Sequence, residues 1–327
     1  MPKPRAERNR TITLSESDYA ECSKRLRTLT AKASRQDIEN QILHNDLFDA
    51  LKFLPDAFAD LLILDPPYNL TKSFNGTRFE ARTTAEYIDY LESWLPSLLR
   101  TLKPTASVYV CGEWRMSGAL QLVLEKYLIV RNRITWEREK GRAASANWKN
   151  CSEDIWFCTV SNTYTFNADA VRLKRRVIAP YRENGVPKDW EETETGNFRL
   201  TAPSNLWTDI TVPFWSMPEN TDHPTQKPEK LIAKLLLASS NEGDLVLDPF
   251  LGSGTTAVVA KKLNRRFVGI EKEHEYVCLA LKRLDLAEHD KTIQGYADGV
   301  FWERNSFSVQ KKQKKKNDSS TIQEKLL

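Results

Sequence analysis

The stretch "DLVLDPFLGSGTTAVVAKKLNRRFVGIEKEHEYVCLALKRL" (244–284) limits the fold more than any other. An apolar strand runs into a turn holding Gly252 and Gly254. A helix follows, then a second apolar strand ending in Glu271, then another helix. Strands apolar on both sides and separated by helices belong to a parallel sheet covered on both faces. The same alternation begins near residue 41. "NQILHNDLFDALKFL" reads as strand, turn and helix, and "ADLLILDPPYN" as a buried strand ending in a turn. "TTAEYIDYLESWLPSLLRTL" predicts one amphipathic helix capped by Thr83 or Thr84. "SVYVCG", "MSGALQLVLEKYL" and "VRNRITWERE" predict strand, helix and strand, and "EDIWFCTV" and "TYTFN" two antiparallel strands. The fold class is therefore α/β, Rossmann-like, with a mostly parallel twisted sheet.

The regularity fails over 169–222, where charges, prolines, Trp190, Trp207 and Trp215 follow no period. A long irregular stretch inside an α/β chain is commonly functional, and its aromatics argue against disorder. The chain divides into a basic N-terminal extension (1–40), two α/β halves (41–168 and 223–290) around the irregular region, and a basic C-terminal tail (291–327) with "KKQKKK". No apolar run reaches the roughly 20 residues of a membrane span, and "MPKPRAERNR" lacks a signal-peptide core. Five scattered cysteines without a CxxC pair predict reduced thiols and a cytoplasmic location. No metal is expected, because the four histidines do not read as sitting near cysteines at ligand spacings. The formal net charge is only +4, but basic residues cluster at 1–35, in "VRLKRRVIAPYR" (171–182) and in the tail, as a polyanionic partner requires.

Gly252 and Gly254 let a ligand approach the backbone where a helix offers unpaired N–H groups. Glu271, at the end of the next strand, is placed to bind ribose hydroxyls. The glycine spacing is not GxGxxG, so a nucleoside with a short polar tail fits better than a dinucleotide, and S-adenosylmethionine is such a molecule. In "DPPY" (65–68), Pro66 and Pro67 fix φ and remove two N–H donors. The Asp65 carboxylate and the Pro66 carbonyl then form an acceptor pair for an –NH2 group, and Tyr68 offers a ring for stacking a planar base.

"DPPY" (65–68), "HPTQKP" (223–228) and "DPFLGSGTT" (248–256) resemble the motifs of the amino-methylating DNA methyltransferases. The catalytic tetrapeptide precedes the glycine block, which resembles the circularly permuted β-class, many of whose members belong to type II restriction–modification systems. The resemblance covers about 41–285. It implies S-adenosylmethionine as cofactor and double-stranded DNA as partner, with a cognate restriction endonuclease and a homodimer as further expectations. Asp65, Pro66 and Tyr68 match the catalytic motif. Phe250, Gly252, Ser253, Gly254 and Thr255 match the cofactor motif, and Glu271 its ribose acid. "HNDLFD" places Asp46 near the cofactor adenine, and "HPTQKP" implicates Thr225 and Lys227 in binding the methionine carboxylate. Residues 169–222 fall where the family keeps its target recognition domain. Lys174, Arg175, Arg176 and Lys314 are candidate phosphate contacts, and Trp136 is a pocket wall or a core residue.

The implied reaction is methylation of adenine N6. Asp65 and the Pro66 carbonyl accept the amine protons and localise the nitrogen lone pair, and the base is flipped out of the duplex to reach them. The alternative is cytosine N4, for which serine in place of Asp65 is the family's more usual residue. A protein glutamine methylase carries "NPPY" and usually the reverse motif order, and a non-catalytic binding module has no need of the intact motifs.

Overall fold

In a computed structural model of the chain, the described residues are 6–304 without 70–71, 75–76, 80, 139–145, 178–180 and 194–195. Lys314 and the "KKQKKK" run lie outside them. An eight-stranded sheet forms the centre. Its strands in chain order are β1 (Gln41–His44), β2 (Ala59–Leu64), β3 (Leu102–Gly112), β4 (Ile129–Glu137), β5 (Ser152–Thr159), β6 (Leu206–Trp207), β7 (Leu245–Asp248) and β8 (Arg266–Glu271). They lie in the order β1-β8-β7-β2-β3-β5-β4-β6. All neighbours run parallel except β5, which is antiparallel to both β3 and β4. This is the expected Rossmann-like sheet.

Alternate strand residues serve opposite faces. Leu61, Ile63 and Val246 pack with the helices Glu229–Ser239, Thr255–Lys262 and His274–His289. Leu62, Leu64, Leu245 and Leu247 pack under the helices Thr84–Glu92 and Ser117–Tyr127. The predicted long helix over 83–102 is two helices. The first starts at Thr83, which accepts from the Glu86 amide in a capping box. The second, Leu95–Leu99, has Pro96 in its first turn, where the missing N–H leaves no bond unmade. "TYTFN" is not a strand; β5 finds its antiparallel partners in β3 and β4 instead. Trp136 is core, 1% exposed, with its indole N–H donating to the Ile210 carbonyl at 3.0 Å.

The irregular region is more ordered than its sequence suggests. Leu173–Arg176, Glu191–Thr193 and Gly196–Thr201 form one sheet with Val300–Trp302 and Tyr296–Ala297. Phe301 and Trp302 are buried there, so the first part of the segment expected as a tail is a structural strand.

The N-terminal helix Glu16–Arg25 contacts the helix His274–His289, and Cys22 is disulfide-bonded to Cys278 across 256 residues of sequence. This corrects the expectation of reduced thiols for that pair; Cys111, Cys151 and Cys158 are free. His274 also stands one helical turn from Cys278, so the expectation of no histidine at ligand spacing fails too. Cys22, His274 and Cys278 bring their donor atoms within 4.8 Å of one another, but the two sulfurs are spent on each other. Among the described residues no helix is long and apolar enough to cross a membrane.

Candidate active site

Two strand ends define the site. β2 and β7 are parallel neighbours in register Leu62↔Leu247. Asp65 lies three residues beyond Leu62, and Phe250 three beyond Leu247, so both loops leave the same edge of the sheet. Glu271 ends β8, the strand beyond β7, and His44 is its register partner in β1, two residues before Asp46. A chain that ends four adjacent parallel strands this way builds a crevice along their carboxyl edge, the usual ligand position in such folds.

"HPTQKP" lies between the two halves. The Lys227 ammonium donates to Asp65 Oδ2 at 2.6 Å and to the Tyr68 hydroxyl at 3.1 Å. It also stands 3.5 Å from Glu153 Oε2. Its own carbonyl accepts from Thr255 Oγ1 at 3.1 Å, tying the segment to the helix after the glycine turn. Burial alone lowers a lysine pKa, but Asp65 and Glu153 outweigh it and hold Lys227 well above its ordinary value. Tyr68 donates its hydroxyl proton to Glu153 Oε2 at 3.2 Å. Burial, then Asp65 and Glu153, push the Tyr68 phenol well up, so it stays protonated. Asn69 closes the turn, bonding the Arg82 backbone in both directions at 2.7 Å.

Glu153 escaped sequence reasoning. It stands at the start of β5, 4% exposed, with its Oε1 ion-paired to Arg138 at 2.6 Å. An acid inside the apolar run "SEDIWFCT" was the available signal, since a buried carboxylate must be paired.

On the cofactor side, Gly252 and Gly254 have φ of 55° and 85°, a region that favours glycine. A Cβ at Gly254 would fall 2.5 Å from the Ala280 Cβ. The Gly252 amide donates to Glu271 Oε2 and the Glu273 amide to Glu271 Oε1, each at 2.8 Å. Glu271 thus fixes the glycine turn, and burial raises its pKa. Asp248, also missed, accepts from the Phe250 amide at 3.0 Å and from Thr256 Oγ1 at 2.5 Å. Burial pushes it up to about 7, against those two hydrogen bonds.

Ser253 and Thr255 are buried and engaged by Arg283, which donates to the Ser253 carbonyl at 2.9 Å and to Thr255 Oγ1 at 3.0 Å. Phe250 meets Trp94 edge-on at 5.6 Å. Asp46 caps a short helix, accepting from the Phe48 amide at 2.9 Å. The Thr225 amide donates to His223 Nδ1 at 3.3 Å.

The basic candidates differ in exposure. Lys174 lies over the Phe198 and Trp302 rings at 5.6 and 5.1 Å, and Arg175 stands 3.6 Å from Glu303. The Arg176 side chain is exposed.

The arrangement brings the Asp65 carboxylate, the Tyr68 ring and the glycine turn to one edge of the sheet. Comparison with known proteins gives the family. A DNA methylase family model, N6_N4_Mtase, matches residues 59–282. The DNA adenine methyltransferase YhdJ of Escherichia coli (strain K12) is 36% identical over 255 residues, covering 76% of this chain and 83% of that protein. The type II methyltransferase M.HpaI of Haemophilus parainfluenzae is 34% identical over 251 residues, 76% of this chain and 75% of that one. Among solved structures, M1.HpyAVI in complex with SAM superposes with a TM-score of 0.51 at 25% identity, over 75% of this chain and 98% of that one. The cytosine-N4-specific PvuII DNA methyltransferase gives 0.54 at 18% identity, over 79% and 89%, which speaks to the fold. With the family model matched across both halves of the crevice, the chain belongs to the N6/N4 DNA methylase family.

Proposed function

We propose that the chain transfers a methyl group from S-adenosylmethionine to N6 of an adenine flipped out of duplex DNA. The observation that carries this reading is the common edge of β2 and β7. Asp65 and the Gly252–Gly254 turn leave the same sheet edge, and Lys227 bonds to Asp65 on one side and to Thr255, next to the turn, on the other. The donor set fits the cofactor. Glu271 offers acceptor oxygens for ribose hydroxyls, the two positive-φ glycines admit a ligand close to the backbone, and the helix Thr255–Lys262 begins beside them. When bound, S-adenosylmethionine supplies a methyl group already activated by a positive sulfur.

The chain's own residues then hold the amine. Lys227 occupies Asp65 Oδ2, leaving Oδ1 and the Pro66 carbonyl to accept hydrogen bonds from the two amine N–H groups; when the nitrogen takes the methyl group from the sulfur, the one surplus proton leaves it through Asp65 Oδ1. Acceptors aimed at a nitrogen that gains positive charge stabilise it electrostatically, and alignment contributes on the order of 7–11 kcal/mol in favourable cases. Tyr68, pinned at its hydroxyl by Lys227 and Glu153, keeps its ring in a fixed plane for stacking the base, worth roughly 1–3 kcal/mol. An aspartate at position 65 and a relative at 36% identity named for adenine support N6 over cytosine N4.

The reading includes a target-recognition role for 169–222, and a cognate restriction endonuclease, supported by relatives named as type II methyltransferases. It places the enzyme in the cytoplasm with its DNA.

Incubation with labelled S-adenosylmethionine and unmethylated DNA, then digestion to nucleosides, should place label in N6-methyladenine. Label in N4-methylcytosine overturns the choice of base, and unlabelled nucleosides overturn the function. Asp65→Ala should abolish transfer and keep cofactor binding.

A further inference from the structure

Trp148 is 95% exposed, more than any other large apolar side chain among the described residues. A bare indole in water is unusual, because tryptophan is highly buried on average. Its position gives the exposure a meaning. Trp148 lies in the connection between β4 and β5, and both ends of that connection are fastened at the catalytic pocket. The Arg138 amide donates to the Cys151 carbonyl at 2.7 Å, and Arg138 pairs with Glu153 at 2.6 Å. Glu153 in turn holds the Tyr68 hydroxyl at 3.2 Å. Trp148 is therefore carried by a connection rooted at the pocket, five residues along the chain from the acid that bonds the Tyr68 hydroxyl. Its own amide is bonded to Asn147 Oδ1 at 2.7 Å.

The surroundings select the partner. The connection, residues 138–151, holds Arg138, Lys140, Arg142 and Lys149 in its sequence against one acid, Glu139. An exposed aromatic side chain in a connection whose sequence is net positive, rooted beside Tyr68, matches a polyanion with stacked bases better than a second copy of this chain. We infer that Trp148 is a wedge that enters the DNA stack beside the flipped base and holds the gap open. The inference rests on the reading of the chain as a DNA amino-methyltransferase. Apolar wedges of this kind lower the cost of an unstacked step by replacing lost base contacts.

The test uses the full chain and two duplexes carrying its methylation site, located by mapping modified bases in an expressing host. One duplex is fully paired; the other sets an abasic position opposite the target, so that the base is already unpaired. Trp148→Ala should melt with the parent and bind S-adenosylmethionine equally. Its kcat/KM on the paired duplex should fall about 5- to 150-fold, the range of one base–aromatic stack at 1.4 kcal/mol per tenfold. On the abasic duplex the deficit should shrink to under about threefold, since little opening remains to be supported. Trp148→Phe, which keeps a ring, should recover most of the paired-duplex rate. Equal rates for Trp148→Ala and parent on the paired duplex would overturn the wedge, and so would the same deficit on both duplexes. Weakened self-association without a change in methyl transfer would assign the side chain to a second copy and equally overturn it. A parent chain that methylates neither duplex would instead bring down the functional reading, and the wedge with it.

Discussion

Replacing Glu153 by Gln keeps the shape of a buried side chain and removes the charge that organises one side of the pocket. The magnitude follows from its three partners. The Arg138 pair is short at 2.6 Å, but Arg138 is 38% exposed, so water screens the loss to under about 1 kcal/mol. The Tyr68 hydrogen bond at 3.2 Å changes from charge-assisted to neutral, a loss of about 1–1.5 kcal/mol. Lys227, 3.5 Å away, keeps Asp65 at 2.6 Å and does not become an unpaired buried charge. The sum is about 2 kcal/mol. At about 2.1 cal/mol/K per residue of unfolding entropy, a chain of 327 residues should lose roughly 3 °C in Tm. Were the same loss of about 2 kcal/mol felt in the transition state, kcat would fall about 30-fold. The assay is steady-state methyl transfer alongside calorimetric titration of S-adenosylmethionine. The expected result is a kcat at least tenfold lower with cofactor Kd unchanged, because Glu153 faces Tyr68 and Lys227 and not the glycine turn. A kcat within twofold of the parent would refute the positioning role. So would a cofactor affinity that weakens by the same factor as the rate.

Asp248 lies at about 7 in the folded chain against an ordinary value of 3.8, because burial disfavours its charge. Its contribution to stability is therefore complete below about pH 4 and is lost as pH rises towards 7. Asp248→Asn should flatten that part of the decline, read as a smaller drop in Tm between about pH 5 and pH 8 than the parent shows. Gly254→Ala forces a Cβ to 2.5 Å from the Ala280 Cβ at a φ of 85°. A loss of more than about 2 kcal/mol is expected, seen as a lower Tm together with weaker cofactor binding, since the turn must move. Cys22→Ser removes the bond to Cys278 and should cost about 2–5 kcal/mol when parent and variant are melted without reductant. With reductant present the two should melt close together.

What could be read from the sequence was what is local. Asp65, Pro66 and Tyr68 are near neighbours, and so are Gly252, Ser253 and Gly254, so each motif can be recognised without knowledge of the fold. Even the two strand ends announce themselves alike, since Leu64-Asp65-Pro66 closes β2 and Leu247-Asp248-Pro249 closes β7. The missing information is register. Nothing in the chain states that Leu62 pairs with Leu247, that Phe301 pairs with Leu173, or that Cys22 packs on Cys278. Those are outcomes of strands and helices competing for the same core, and they put 296–302 in a sheet where composition suggested a tail.

Lys227 shows how register decides chemistry. Motif position assigned it to the cofactor's carboxylate, yet it is 10% exposed, and a lysine that deep must meet a carboxylate supplied by the protein or by a ligand. In the fold it meets Asp65 at 2.6 Å and Glu153 at 3.5 Å, with Arg138 behind Glu153 at 2.6 Å. Two carboxylates and two basic side chains face one another there, so the cluster leaves no buried charge without a partner. Glu153 holds Lys227 and Lys227 holds one oxygen of Asp65, which on the proposed reaction leaves the other free for the base.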